Sequence, residues 1–140
     1  MKRNRLILLA IAALALASCG SDEPVGSADE IDGTWQLTSG SHAGNTLEPI
    51  ATHPVTLEID GDEVGGTAAC NGYGGTIANT DTGITFSEMS ITEMACDPPE
   101  TMDLESAYMA ALASIDQASI EGGKLVLSGP DTQLEFEASS

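Results

Sequence analysis

Three cysteines carry the most distinctive chemistry in this sequence, because a thiol can be acylated, oxidised to a disulfide or used as a nucleophile. Cys19 follows an apolar run near the N-terminus, whereas Cys70 and Cys96 lie 26 positions apart in the body of the chain. A nucleophilic cysteine needs a positive environment that stabilises the thiolate. Neither Cys70 nor Cys96 has a Lys or Arg near it in the sequence, so a reactive thiol is not favoured.

The first nineteen residues have the order of a bacterial lipoprotein signal. Three basic residues among the first five precede twelve apolar residues, 6–17, and the segment ends in Leu-Ala-Ser-Cys19. A helix of twelve residues is about 18 Å long, which is too short for the roughly 30 Å hydrocarbon core of a bilayer. We therefore predict a signal peptide over residues 1–18 that is removed on export, with an acylated Cys19 as the membrane anchor.

Export would place the other two cysteines in an oxidising compartment, where disulfides form and persist. Cys70 and Cys96 are an even pair once Cys19 is assigned to the anchor. A bridge between them would stabilise the fold by about 3.5 kcal/mol through loop closure. We predict a Cys70–Cys96 disulfide, and two buried free thiols are the alternative.

The charge of the chain excludes several classes of function. It has 22 Asp and Glu against four Lys and Arg, and loss of the three basic residues of the signal would take the formal net charge from −18 to −21. Binding to nucleic acid or to an anionic membrane surface requires clustered basic residues, so neither is expected. Residues 19–30 are polar, acidic and interrupted by Gly and Pro, and we predict a flexible tether there.

The histidines and carboxylates form no recognisable catalytic or metal-binding pattern. His42 and His53 are eleven positions apart in an irregular stretch over residues 39–54, whereas zinc sites use closer spacing and further ligands. The acidic turn over residues 60–63 lacks the ligand pattern of an EF-hand. Four acidic residues gather at the start of a predicted helix: Asp97, Glu100, Asp103 and Glu105. They fit surface carboxylates that match the helix dipole better than a cation site. We predict no metal, no cofactor and no catalytic residue.

Alternation with period two predicts that most of the domain is β-sheet. Residues 55–59 and 134–137 alternate apolar and polar side chains, and shorter strands are predicted at 84–86 and 125–127. Short turns rich in Asp and Gly separate the strands, which implies hairpins and antiparallel pairing. Residues 64–77 are rich in Gly and are predicted to let the sheet curl.

One segment has the helical period. Its apolar residues fall at i, i+3, i+4, i+7, i+8 and i+11: Leu104, Ala107, Tyr108, Ala111, Leu112 and Ile115. Asp97 is predicted to cap this helix, with Pro98 at its first position. A single helix on one face of a curled antiparallel sheet would bury both apolar surfaces, so the expected fold class is α+β. The alanines of the stripe favour a filled core over a large ligand cavity under the helix.

The two segments that contain Cys70 and Cys96 resemble the motifs of the META domain family, the family of HslJ-like heat-shock lipoproteins and a domain of unknown function. They are Cys-Asn-Gly-Tyr-Gly-Gly at residues 70–75 and Thr-Glu-Met-Ala-Cys at residues 92–96. Further matching positions extend the resemblance from Trp35 to Phe136. The resemblance implies a domain over residues 31–138, a curled antiparallel half-barrel of about eight strands with one helix, and it supplies no catalytic residue.

Together these features predict a lipid-anchored protein of the cell envelope that binds a partner and is not an enzyme. The expected partners are the membrane, through Cys19, and an envelope protein or a small apolar ligand; we expect a monomer. Two alternatives stay open: a secreted hydrolase that uses a pair of its acidic residues, and a structural protein whose acidic surface suits a salty environment. Asn71 is interpreted as a turn amide, and Tyr73 and Trp35 as core residues.

Overall fold

The computed structural model describes residues 23–25 and 27–140, so the predicted signal peptide and Cys19 lie outside the described residues. The described part contains ten β-strands, one short 3-10 helix over Ala28–Ile31, and one α-helix, α1, over Pro99–Leu112. The strands are β1 (Glu23–Pro24), β2 (Gly33–His42), β3 (Asn45–Leu47), β4 (Thr56–Asp60), β5 (Glu63–Ala68), β6 (Asn71–Asn79), β7 (Ile84–Ile91), β8 (Gln117–Glu121), β9 (Lys124–Gly129) and β10 (Thr132–Ala138). Neither described helix is long and apolar enough to cross a membrane.

The strands form one antiparallel sheet that curls into a half-barrel. Their order is β1-β8-β9-β10-β2-β4-β5-β6-β7, and β3 pairs with β2 outside this path. The curl brings the two ends of the sheet together. There the backbone N–H of Ile84 in β7 donates to the carbonyl of Asp116, just before β8, at 3.1 Å. Eight described strands have five or more residues, so the predicted α+β half-barrel of about eight strands is confirmed.

The predicted turns and the predicted bend are both present. The hairpin between β4 and β5 turns at Gly61, whose φ of +63° lies in the left-handed region that favours glycine. In the Gly-rich segment, the pairing of β6 with β7 shifts register between Gly74 and Thr76. Gly66 is required for a different reason, since a Cβ there would collide with the backbone carbonyl of Thr56 on the neighbouring strand. The glycines therefore allow strands to approach and bend where the sheet curls.

The helix packs its predicted stripe against the sheet. Leu104, Tyr108, Ala111 and Leu112 are buried, while Ala107 at the margin of the stripe is half-buried. Ile115, the last residue of the predicted stripe, is also buried but lies beyond the end of α1 at Leu112. Facing them are fully buried side chains of the sheet, including Leu37 and Phe136. All five aromatic residues of the chain are buried in the core: Trp35, Tyr73, Phe86, Tyr108 and Phe136.

The start of α1 differs from the prediction. Pro98 has an extended backbone and is itself the N-cap, and the helix begins at Pro99, one residue later than predicted. Asp97 therefore does not cap the helix, because it lies one position too early. Proline has no side-chain acceptor, and the first turn is closed by the backbone bond from Thr101 N–H to the carbonyl of Pro98, at 3.0 Å.

Part of the predicted tether is ordered. The backbone N–H of Val25 donates to the carbonyl of Ala118 at 3.2 Å, and the N–H of Ala28 donates to Oδ1 of Asn79 at 2.8 Å. Ala28 is only 4% exposed. Val25 and Ala28, which lie in the predicted tether, therefore contact the domain. The segment was predicted to be flexible because most of its residues are polar. Its two apolar residues Val25 and Ala28 nevertheless pack against the core.

Candidate functional site

The Cys70–Cys96 disulfide joins the start of β6 to the segment that leads into α1. The Cα atoms of the two half-buried cysteines are 5.9 Å apart, and the bridge confirms the predicted pairing. It holds residues 92–96 beside the first residue of β6. This is the place in the described chain where both motifs of the sequence resemblance meet.

Asn71, the first residue of β6, holds residues 92–94 through both atoms of its side-chain amide. Its Oδ1 accepts the backbone N–H of Met94 at 2.8 Å and the hydroxyl of Thr92 at 3.0 Å. Its Nδ2 donates to the carbonyl of Met94 at 3.0 Å and to Oε1 of Glu105 at 2.9 Å. Asn71 is fully buried. The interpretation as a simple turn amide is therefore wrong, because the side chain ties a distant loop and the helix to the sheet.

Glu105 completes this cluster from α1. Its Oε2 accepts the backbone N–H of Asn71 at 2.7 Å while its Oε1 accepts the side-chain amide, so the carboxylate clamps one residue with both oxygens. Only 6% of Glu105 is exposed. Its assignment to the surface carboxylates at the helix start is wrong. The sequence held a signal for this position, since Glu105 lies four residues after Thr101 and three before Tyr108, on the buried helix face.

A pair of tyrosines lies under the helix. The hydroxyl of Tyr73 donates to the carbonyl of Thr56 at 2.7 Å, so the hydroxyl of Tyr108 donates to Tyr73, also at 2.7 Å. The two rings meet edge to face with centroids 5.6 Å apart. Burial raises the pKa of both tyrosines well above the usual value of 10, and the Glu58 carboxylate raises the pKa of Tyr73 further. Both phenols therefore stay protonated in the folded protein, as core groups.

The histidines lie apart from this cluster. His42 is at the end of β2, not in an irregular loop, and its Nδ1 is 2.8 Å from the hydroxyl of Thr132. His53 is half-buried, and its Nδ1 is 3.0 Å from the hydroxyl of Thr52. In the part of the chain that the structure describes, no three His, Cys, Asp or Glu side chains come together as metal ligands.

Two surface grooves flank α1. The helix groove, of about 320 Å³, lies between α1 and the chain from β3 to residue 50, and it is lined by Thr46, Leu47, Glu48, Ile50, Glu100, Asp103, Leu104 and Ala107. The loop groove, of about 390 Å³, lies beside Asn71 and Glu105 and includes Met94 and Met102. Met94 is 60% exposed, although it is a large apolar residue. The helix groove and the loop groove are concave surfaces that could bind a ligand. The polar groups of Asn71 and Glu105, between strand and helix, are hydrogen-bonded within the protein.

The state of the two cysteines gives a direct prediction. When the chain is purified without reductant and unfolded, Cys70 and Cys96 should take up iodoacetamide only after a reductant has been added. Replacing both with alanine should lower the free energy of unfolding by about 3.5 kcal/mol, because the unfolded chain gains loop entropy. Alkylation of the unfolded chain without reductant would contradict the bridge.

Comparison with known proteins finds one matching family and two solved structures of similar fold. The sequence matches the META domain over residues 28–140. An NMR structure of a protein from Burkholderia xenovorans has 24% identity and a TM-score of 0.71, covering 96% of this chain and 99% of its own. A second NMR structure has 16% identity and a TM-score of 0.59, covering 81% of this chain and 96% of its own. At these identities the two structures show the shared fold. No curated protein matches the chain.

Proposed function

The chain belongs to the META domain family, and on that premise we propose that it is a lipid-anchored protein of the bacterial cell envelope whose domain binds a partner without catalysing a reaction. The observation that carries the binding role is the bonding of the Asn71–Glu105 cluster. Both side-chain atoms of Asn71 and both oxygens of Glu105 are engaged in bonds within the protein.

Hydrogen bonds of this kind, made within the protein, fit a structural role of Asn71 and Glu105 better than a catalytic one. A general acid or base must exchange a proton with a substrate, and a nucleophile must be free to attack it. Here the two cysteines are oxidised to a disulfide. The Tyr73 and Tyr108 hydroxyls bond to each other in the core. These groups instead hold residues 92–96 and α1 in place, and so fix the walls of the two grooves.

The anchor would lie close to the domain. Cys19 is four positions before β1, and four residues span at most about 14 Å when extended. An acyl chain on Cys19 would therefore hold the β1–β8 side of the sheet near the bilayer. A mature domain with a net charge of −21 would be repelled by anionic head groups, so attachment would depend on the lipid and not on surface charge.

Metabolic labelling with a palmitate analogue tests the anchor. The wild-type chain should incorporate the label and fractionate with membranes, whereas Cys19→Ala should lose the label, because the acylated sulfur is absent. Cys70→Ala/Cys96→Ala is the matched control and should label like the wild type. Equal labelling of Cys19→Ala would contradict the proposed anchor.

A further inference from the structure

The helix groove has an apolar floor. Leu47 and Leu104 are buried core residues whose edges line it, and Ile50 and Ala107 pack against the core from the two walls. One wall is a single stripe of α1, because residues 100, 103, 104 and 107 follow the helical spacing. The other wall is β3 and the chain that follows it. Because Leu47 and Leu104 at its floor are core residues, the groove is part of the folded domain.

Three exposed carboxylates, those of Glu48, Glu100 and Asp103, lie at the rim of this floor. Lys124 is the only Lys or Arg in the described chain, and it pairs with Glu135 at 2.8 Å and Glu137 at 3.6 Å on β10. No described Lys or Arg therefore neutralises the rim. The N-terminal end of a helix carries a partial charge of about +0.5, which offsets only a small part of three negative charges.

Building on the proposed binding role, we propose that the helix groove binds a small lipophilic cation, with an apolar group on the floor and a protonated amine at the rim. A volume of about 320 Å³ suits a small molecule, being at the lower end of such sites. Charge complementarity selects the cation: an anion would be repelled, and a neutral apolar ligand would cover the carboxylates without bonding to them.

The loop groove is a poorer match for the same ligand. Of its two carboxylates, that of Glu105 is buried and already accepts two N–H donors from Asn71. Only Glu93 remains as an exposed carboxylate on that side. The helix groove thus combines an apolar floor with three carboxylates that no described Lys or Arg neutralises.

Calorimetric titration with 2-phenylethylammonium tests this inference. The full chain is reconstituted in phosphatidylcholine nanodiscs, and empty nanodiscs give the background from partition into lipid. Saturable binding is expected, and it should weaken as NaCl is raised, because salt screens the exposed rim charges. The neutral analogue 2-phenylethanol should bind about five- to tenfold more weakly.

Two charge-matched double variants locate the site. Glu100→Gln/Asp103→Asn should weaken binding of 2-phenylethylammonium about five- to tenfold, the change expected when two partly exposed charge interactions are removed. Asp60→Asn/Asp62→Asn, at the exposed end of the β4–β5 hairpin, changes net charge by the same amount and should have less than about a twofold effect. All four positions are exposed, so both variants should fold, which thermal melting checks.

Three results would overturn the inference: no saturable binding, equal affinity for the neutral analogue, or equal losses in the two double variants. The last would mean that overall charge attracts the probe without a defined site. Absent binding with intact labelling of Cys19 would overturn the ligand assignment alone. Loss of labelling would overturn the anchor and leave the binding result standing.

Discussion

Replacing Asn71 with alanine is expected to lower the free energy of unfolding by about 3 kcal/mol. The substitution leaves the N–H and carbonyl of Met94 and one oxygen of the buried Glu105 carboxylate without their partners. Each such group costs about 1–3 kcal/mol when it stays buried, and more when it is charged. Met94 is partly solvated, so water can replace some of these bonds, which keeps the expected loss below the full sum.

Urea unfolding followed by tryptophan fluorescence measures this loss, because Trp35 is the only tryptophan and is buried. Asn45→Ala is the matched control: Asn45 is exposed on β3, and its side chain makes one long bond of 3.3 Å to a backbone carbonyl. That control should change stability by less than about 0.5 kcal/mol. A loss for Asn71→Ala as small as that of the control would show that the cluster does not hold the fold.

Glu105→Gln separates the role of shape from that of charge in the same cluster. Glutamine keeps the size of the side chain but places an NH₂ group against one of the two N–H donors of Asn71. One of the two bonds is then lost, and a loss of about 1–2 kcal/mol is expected. A smaller loss than that of Asn71→Ala would agree with a clamp in which both oxygens act as acceptors.

Above about pH 10, the stability of the domain is expected to fall by about 2.7 kcal/mol per pH unit through its two tyrosines. In the unfolded chain both phenols lose their protons near the usual pKa of 10, whereas burial raises the pKa of each in the folded protein. The unfolded state then binds fewer protons than the folded state, so rising pH favours unfolding. Below about pH 10 this contribution to stability is complete.

Tyrosinate absorbance and the urea midpoint, followed together between about pH 9 and 12, check this expectation. Tyr73 and Tyr108 are the only tyrosines, so the absorbance reports this pair alone. Tyrosinate should appear together with unfolding. Its appearance near pH 10 in a chain that is still folded would contradict the burial of the pair.

Two variants show which residues cause the fall in stability above about pH 10. Tyr108→Phe removes one titrating group and should reduce the slope to about 1.4 kcal/mol per pH unit. Lys124 also loses its proton at high pH, and its hydrogen bond and charge interaction with Glu135 raise its pKa. Lys124→Gln removes that contribution and should leave the tyrosine-dependent slope unchanged.

Most of the sheet and the helix were predictable because each depends on a local pattern. β3 was missed, since it lies in the stretch over residues 39–54 that was predicted to be irregular. Alternation along residues 55–59 specifies which side chains of a strand are buried, and the stripe from Leu104 to Leu112 does the same for α1. The cysteine count and the predicted export signal together predicted the bridge. The start of α1 was missed by one residue, since Asp97 and Pro98 both suit a helix start and local preference does not choose between them.

The sequence by itself determined the fold class, the hairpins, the helix and the family. Only the tertiary structure decided what the polar groups do: Asn71 meets Glu105 across 34 positions, and Tyr73 meets Tyr108 across 35. The ordered start of the domain likewise depends on Asn79, which bonds to Ala28 across 51 positions. Periodicity tells which face of an element is buried, but the bonding partner of a polar side chain is set by the residue opposite it in space. The curl of the sheet and the docking of the helix decide which residue lies opposite, and no local pattern specifies either of them.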